Sequence, residues 1–143
     1  MRLAWLWWGV MLVAGTTSAE NGYVGGERCR LCHRSTYGAW LTTAHARTDR
    51  AGVEGPTCVR CHLTDSATKL RGVQCEACHG AGESYALPEV MIDPEKARMA
   101  GLVKPTEAVC RRCHGSATDG HEATFEMPPP STLGAVVHDR TVP

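Results

Sequence analysis

The chain has little of what usually builds a protein core: only 6% of its residues are aromatic, and phenylalanine occurs once. Three of the four tryptophans fall within the first eight residues. The aromatic residues beyond position 20 are Tyr23, Tyr37, Trp40, Tyr85 and Phe125. This is too little to fill a domain of this size, so an ordinary side-chain core is excluded and covalent or metal staples are expected.

The chain also lacks net charge, since fifteen Lys and Arg balance fifteen Asp and Glu. Without an excess of positive charge it has no electrostatic basis for holding a phosphate backbone. We therefore expect no nucleic-acid partner.

Only one long apolar run occurs, from Leu3 to Ala14, between the basic start Met1-Arg2 and the small residues Thr17-Ser18-Ala19. This order predicts a signal peptide over residues 1–19 and one mature domain over residues 20–143. The run is short for a bilayer span, and an uncleaved membrane anchor is the alternative because tryptophan favours membrane interfaces. We expect a periplasmic protein.

All eight cysteines belong to four copies of the pattern Cys-x-x-Cys-His. The copies are Cys29-x-x-Cys32-His33, Cys58-x-x-Cys61-His62, Cys75-x-x-Cys78-His79 and Cys110-x-x-Cys113-His114. In c-type haem attachment, two sulfurs bond to one porphyrin edge and the following histidine ligates the iron. The pattern therefore predicts four covalently attached haem c groups.

Two other uses of cysteine need consideration, a zinc site and a disulfide framework. Neither chemistry needs a histidine directly after the second cysteine in all four copies. We therefore expect haem attachment and no structural zinc.

The haems would supply the apolar surface that the side chains lack. The predicted fold class is mainly α with much irregular structure, a compact tetrahaem c-type cytochrome whose core is built from stacked haems. The chain without haem is expected to be largely unfolded.

Seven histidines serve four irons, and four of the seven are proximal ligands by motif. His45, His121 and His138 remain for four distal positions, so one haem lacks a distal histidine. That haem could stay five-coordinate, hold water or take a lysine. Its other candidate ligands are Met91, Met99, Met127 and Tyr85.

Residues 34–47 contain no proline and predict a helix with Tyr37, Trp40, Leu41 and Ala44 on one face. A continuous helix would separate His33 from His45 by about 18 Å, whereas the axial nitrogens of one iron lie about 4 Å apart. His45 is therefore expected to ligate a haem other than that of its own motif.

Glycine and proline predict the interruptions further along the chain. Residues 51–57 read as a loop, 80–82 as a helix break, 88–94 as irregular and 95–100 as a short helix. The link between the second and third motifs, residues 63–74, is the shortest between motifs and predicts that their haems are close neighbours.

Beyond the motifs themselves, several residues occur in a distinctive order. They are Tyr37, Trp40 and His45-Ala46 after the first motif, Gly72-Val73-x-Cys75-Glu76 at the third, and Gly80-x-Gly82 after it. In this order the chain resembles the tetrahaem cytochrome c-554 family over most of its mature length.

The resemblance implies a mainly helical fold with closely packed haems, three of them bis-histidine and the second five-coordinate. By position, His45 resembles the distal ligand of haem three and His138 that of haem four. The family's distal ligand of haem one follows the Gly-x-Gly, where this chain has no histidine, and His121 is the candidate in its place.

Saturated bis-histidine haems change oxidation state with little rearrangement, which favours an electron carrier over an enzyme. One alternative is a haem enzyme acting on a small nitrogen species at the open haem. Another is an electron-transfer subunit of a larger multihaem complex. The expected partners are other redox proteins, either multihaem cytochromes or a membrane quinol-linked complex.

The first prediction concerns the mature protein, which should begin near Glu20 and carry four covalent haems because the chain combines an export signal with four complete motifs. Intact-mass measurement after expression with a haem-attachment system checks it. A mass equal to the bare chain, or to fewer than four haems, would contradict it.

Overall fold

The structure is a computed structural model that describes residues 21–50 and 55–114. The predicted signal peptide, residues 51–54 of the predicted loop, His121 and His138 lie outside the described residues. In the described part of the chain, no helix is long and apolar enough to cross a membrane.

Short helices dominate the described residues. The α-helices are α1 Gly26–Arg30, α2 Arg34–Leu41, α3 Pro56–His62, α4 Cys75–His79, α5 Pro88–Met91, α6 Pro94–Met99 and α7 Glu107–Cys110. A 3₁₀-helix covers His45–Arg50, and the strands are β1 Leu63–Asp65 and β2 Leu70–Arg71.

Proline and an aspartate cap set the starts of several helices. Pro56, Pro88 and Pro94 occupy the first turns of α3, α5 and α6, where a missing N–H costs nothing. Asp93 Oδ1 accepts hydrogen bonds of 3.1 Å from the amides of Glu95 and Lys96 at the start of α6.

The predicted continuous helix over residues 34–47 is wrong, because α2 ends at Leu41. The hydroxyls of Thr42 and Thr43 each donate a 2.7 Å hydrogen bond to a carbonyl three residues earlier, an alternative to helical pairing of the backbone. His45 therefore begins a separate 3₁₀-helix. The separation of about 18 Å between His33 and His45, which assumed one straight helix, therefore does not apply.

Three other predicted segments have mixed outcomes. The helix break at Gly80 is confirmed, and the short helix predicted near residues 95–100 is confirmed as α6. The segment 88–94 was expected to be irregular, but its first four residues form α5, started by Pro88.

The link between the second and third motifs folds as a hairpin, which the sequence pattern did not predict. Strands β1 and β2 pair antiparallel, with Leu63 opposite Arg71. The amide of Gly72 donates a 2.8 Å hydrogen bond to the carbonyl of His62. The link thus returns on itself, and the end of the second motif lies beside the residues that lead into the third.

Few side chains are buried in the described residues. The buried apolar ones are Ala39, Tyr85 and Ala97. The most buried large side chain is charged: Glu76 is only 1% exposed. Burial of an ionised group is costly unless hydrogen bonds satisfy it, so its partners matter for the fold.

Three backbone amides satisfy the Glu76 carboxylate. Oε1 accepts from the amides of Val24 at 2.9 Å and Gly82 at 2.7 Å, and Oε2 accepts from Gly25 at 2.7 Å. A Cβ on Gly82 would lie 2.8 Å from Oε1, so only glycine lets the loop approach this closely. One side chain thus joins the first described residues, α4 and the loop after α4.

The second prediction is that Glu76→Gln lowers the free energy of unfolding by about 2 kcal/mol, because the new amide N–H₂ must face a backbone donor that then lacks an acceptor. Urea unfolding of the four-haem protein, followed by circular dichroism, measures it. Glu89→Gln makes the same exchange at an exposed position of α5 and should have little effect. Equal losses in the two variants would contradict the prediction.

Candidate functional site

Each of the four motifs folds as about one turn of helix. The second and third lie within α3 and α4, while the first and fourth begin in α1 and α7. The amide of His33 donates to Cys29 O and that of His114 to Cys110 O, both at 2.9 Å. Residues four apart on a helix share a face, so the first cysteine and the histidine of each motif lie on the same side.

The first and third motifs meet through their leading cysteines. A hydrogen bond between the two thiols lowers the pKa of Cys29 and raises that of Cys75. Gln74 strengthens the same junction, because its side-chain oxygen accepts a 2.7 Å hydrogen bond from the amide of Gly26 at the start of α1.

The fourth motif lies beside both the third and the second. Burial raises the pKa of Cys78, and the neighbouring Cys110 raises it further. Burial also raises the pKa of Cys113 to about 11, with a hydrogen bond to Cys61 adding to the rise. The Arg112 guanidinium donates to Ala77 O at 2.5 Å. These contacts place the fourth motif beside the second and the third, while the hairpin brings the end of the second motif beside the residues that lead into the third.

The cysteines are available for thioether bonds. All eight lie in the described residues, and all are unbridged, with Cys32 and Cys58 exposed. Within residues 21–50 and 55–114, no group of three or more His, Cys, Asp or Glu side chains is placed to hold a bare metal ion.

The third motif's histidine is oriented by a backbone carbonyl. His79 Nδ1 lies 3.0 Å from Val103 O, and a carbonyl only accepts, so Nδ1 carries the proton and Nε2 keeps a lone pair. The amide of Val103 donates in return to His79 O at 2.9 Å. This pair holds the ring in the tautomer that iron ligation requires.

The remaining motif histidines differ in surroundings. His33 is exposed, whereas His62 is partly buried and its Nδ1 lies 3.5 Å from Thr48 O. His114 faces His45, with ring centres 6.0 Å apart and ring planes inclined at 67°. Burial lowers the pKa of both rings, and His114 lowers that of His45 further.

Two of the proposed non-histidine ligands have defined surroundings. Tyr85 is 4% exposed and its hydroxyl donates a 2.6 Å hydrogen bond to Gly80 O, while burial raises its pKa. A phenol that stays protonated and already donates to a carbonyl is a poor iron ligand. Met99 is 80% exposed.

The residues present fit four haem groups. Large apolar side chains are left on the surface of the described chain, including Ile92 at 83% exposure, Leu31 at 56% and Leu41 at 52%. Apolar macrocycles attached at four adjoining motifs would cover such surface and supply the missing core. The unbridged thiols and the His79 tautomer agree with the same group.

Sequence reasoning missed three contacts that organise the site: the amides around Glu76, the carbonyl of Val103 and the 3₁₀-helix contacts of Thr48. Every residue has a backbone carbonyl, so no sequence pattern could identify that of Val103 as the partner of His79. Glu76 was visible within the third motif, but its burial was not.

Comparison with protein-family models, curated proteins and solved structures finds no match to this chain.

The third prediction compares two Gly→Ala variants. Gly80 follows His79 with φ of 83°, and a Cβ there would lie 3.0 Å from Gly101 O and 3.3 Å from the Val103 side chain. Gly80→Ala should destabilise the protein by about 1–3 kcal/mol and, by displacing Val103, shift the low-spin resonance of one haem. Unfolding and electron paramagnetic resonance provide the two measurements.

Gly38 is the matched control, since it lies within α2 and a Cβ there would meet nothing within 4 Å. Gly38→Ala should stabilise the protein by about 0.5–1 kcal/mol and leave the resonance unchanged. Effects of the same sign at both positions would contradict this account.

Proposed function

We propose that the chain is a periplasmic tetrahaem c-type cytochrome that transfers electrons between redox partners and does not turn over a substrate. The observation that carries the proposal is that the motifs adjoin: Gln74, directly before the third motif, accepts a hydrogen bond from the amide of Gly26 at the start of α1, and Arg112 of the fourth motif donates to Ala77 O of the third.

Adjoining attachment points support electron transfer in a simple way. The two cysteines of a motif would fix one edge of a macrocycle, so motifs that adjoin would bring their haems close together. Haem supplies one-electron redox chemistry, and its potential responds to axial ligation and burial. The protein's part is to hold the groups close together and keep water and reactants away from most irons.

The first and second motifs are the natural points of exchange with partners, because both have exposed residues. The first motif has an exposed histidine and the exposed Cys32, and the second has the exposed Cys58. Entry at one of these motifs and exit at the other would carry electrons across the molecule to another multihaem cytochrome or to a quinol-linked complex.

The described surroundings of the motifs favour a carrier over an enzyme. Catalysis at an open iron needs an acid or base and groups that position the substrate. Among the described residues, the buried carboxylate of Glu76 is occupied by three amides, and the Tyr85 hydroxyl is occupied by Gly80 O. Neither group is available to donate or accept a substrate proton.

The fourth prediction tests the carrier assignment. The reduced four-haem protein should exchange electrons rapidly with another multihaem cytochrome and react slowly with nitrite, hydroxylamine, nitric oxide and peroxide, although one haem binds an added small ligand. Stopped-flow absorbance and product analysis over many turnovers measure both reactions. Fast multiple turnover with any of the four compounds would overturn the proposal.

A variant without attachment at the second motif, Cys58→Ala with Cys61→Ala, serves as the control for the ligand-binding haem. If the second haem is the open one, this three-haem protein should lose ligand binding and keep electron exchange through the remaining three. Ligand binding that persists would place the open iron at another motif.

A further inference from the structure

The separation of the His45 and His114 rings has a chemical meaning. Two nitrogens that ligate opposite sides of one iron lie about 4 Å apart, and each ring centre lies about 1 Å behind its nitrogen, so an axial pair has ring centres about 6 Å apart. The observed separation is 6.0 Å. The 67° inclination is compatible with this, because each ring can turn about its own iron–nitrogen bond.

A plain ring-to-ring contact is the competing explanation, since aromatic rings also pack edge to face at 4.5–7 Å. Two observations favour a shared iron. His114 directly follows the second cysteine of the fourth motif, the position from which a histidine ligates the iron in c-type haem attachment. His45, the other ring, is partly buried, in a segment that Trp40 and Thr48 fix through hydrogen bonds to Val73.

The position of His45 is built into the fold. The Thr48 hydroxyl donates a 2.7 Å hydrogen bond to His45 O and accepts a 2.9 Å hydrogen bond from the amide of Val73. Arg71 adds an ion pair of 2.6 Å with Asp49. These contacts hold the 3₁₀-helix against β2 and the residues that follow it.

Trp40 in α2, five residues before His45, is held at the same place. Trp40 Nε1 donates a 3.1 Å hydrogen bond to Val73 O, so both backbone groups of Val73 bind the segment that carries His45. The chain changes direction after α2 ends, and the centre of the His45 ring then lies 6.0 Å from that of His114 in the fourth motif. The hydrogen bonds of Trp40 and Thr48 to Val73 therefore fix the chain on both sides of His45.

We propose that His45 is the sixth ligand of the iron held by the fourth motif, opposite His114. The inference rests on the proposed tetrahaem function and departs from the resemblance, which implies haem three for His45 and haem four for His138. Iron three must then take its distal ligand elsewhere, and His121 and His138 are the histidines left for it. The ligand also ties the 3₁₀-helix and hairpin to the last motif.

The main experiment counts low-spin haems by electron paramagnetic resonance in purified protein with all haems attached. His45→Gly should convert one low-spin haem to high-spin, and added imidazole should restore it. The same substitution is then made in a three-haem protein carrying Cys110→Ala and Cys113→Ala. There His45→Gly should leave the number of low-spin haems unchanged, because its iron has been removed.

The reciprocal background removes the third haem through Cys75→Ala and Cys78→Ala. In that protein His45→Gly should still convert one haem. The opposite result in either background, an effect without haem four or no effect without haem three, would assign His45 to another iron and overturn the proposal. Either background is sufficient, so poor yield of one leaves the question answerable.

Thr48→Val tests the positioning in the complete four-haem protein. Loss of the hydroxyl should release His45 in part and raise the high-spin fraction, whereas Thr36→Val, at an exposed position of α2, should not. An unchanged spectrum in both Thr48→Val and His45→Gly would sink the inference while leaving electron transfer intact. Fewer than four haems by mass, in contrast, would refute the proposed function itself.

Discussion

The buried carboxylate of Glu76 is the interaction on which the described structure depends. It lies inside the third attachment motif, and its three amide donors come from two other segments, Val24 with Gly25 before α1 and Gly82 after α4. In a protein with so few buried side chains, an ionised group with a complete set of donors fixes geometry that apolar packing cannot supply. Removal of one acceptor would leave a buried donor without a partner.

The residues just before Glu76 connect the third motif to further segments of the chain through hydrogen bonds. Val73 binds Trp40 and Thr48 through its two backbone groups, and Gln74 binds the start of α1. Every attachment motif is thus connected, directly or through one neighbour, to the stretch that leads into the third. Fixed separations between the motifs would suit the proposed electron carrier, because electron transfer is sensitive to the distance between redox groups.

The same connections relate the proposed ligand to the proposed path. If His45 ligates iron four, the 3₁₀-helix that approaches the second motif through Thr48 and His62 is also bound to the fourth. The second and fourth motifs already meet through Cys61 and Cys113. Coordination would then stabilise the junction of the second and fourth motifs, as the Glu76 carboxylate stabilises the junction of the first and third.

Spacing along the chain determined the four Cys-x-x-Cys-His motifs, and residue types determined the break at Gly80 and the helix that begins at Pro94. Tertiary structure alone decided that α2 stops short of His45, that Val103 orients His79 and that His45 meets His114. The helix α2 ends early because the hydroxyls of Thr42 and Thr43 bind backbone carbonyls. Val103 binds His79 through a backbone carbonyl, a group that every residue has. The contact of His45 with His114 joins segments that are far apart in the chain. Local pattern identifies residue types that can bind a metal, but only the folded chain brings the rings of two of them, His45 and His114, together.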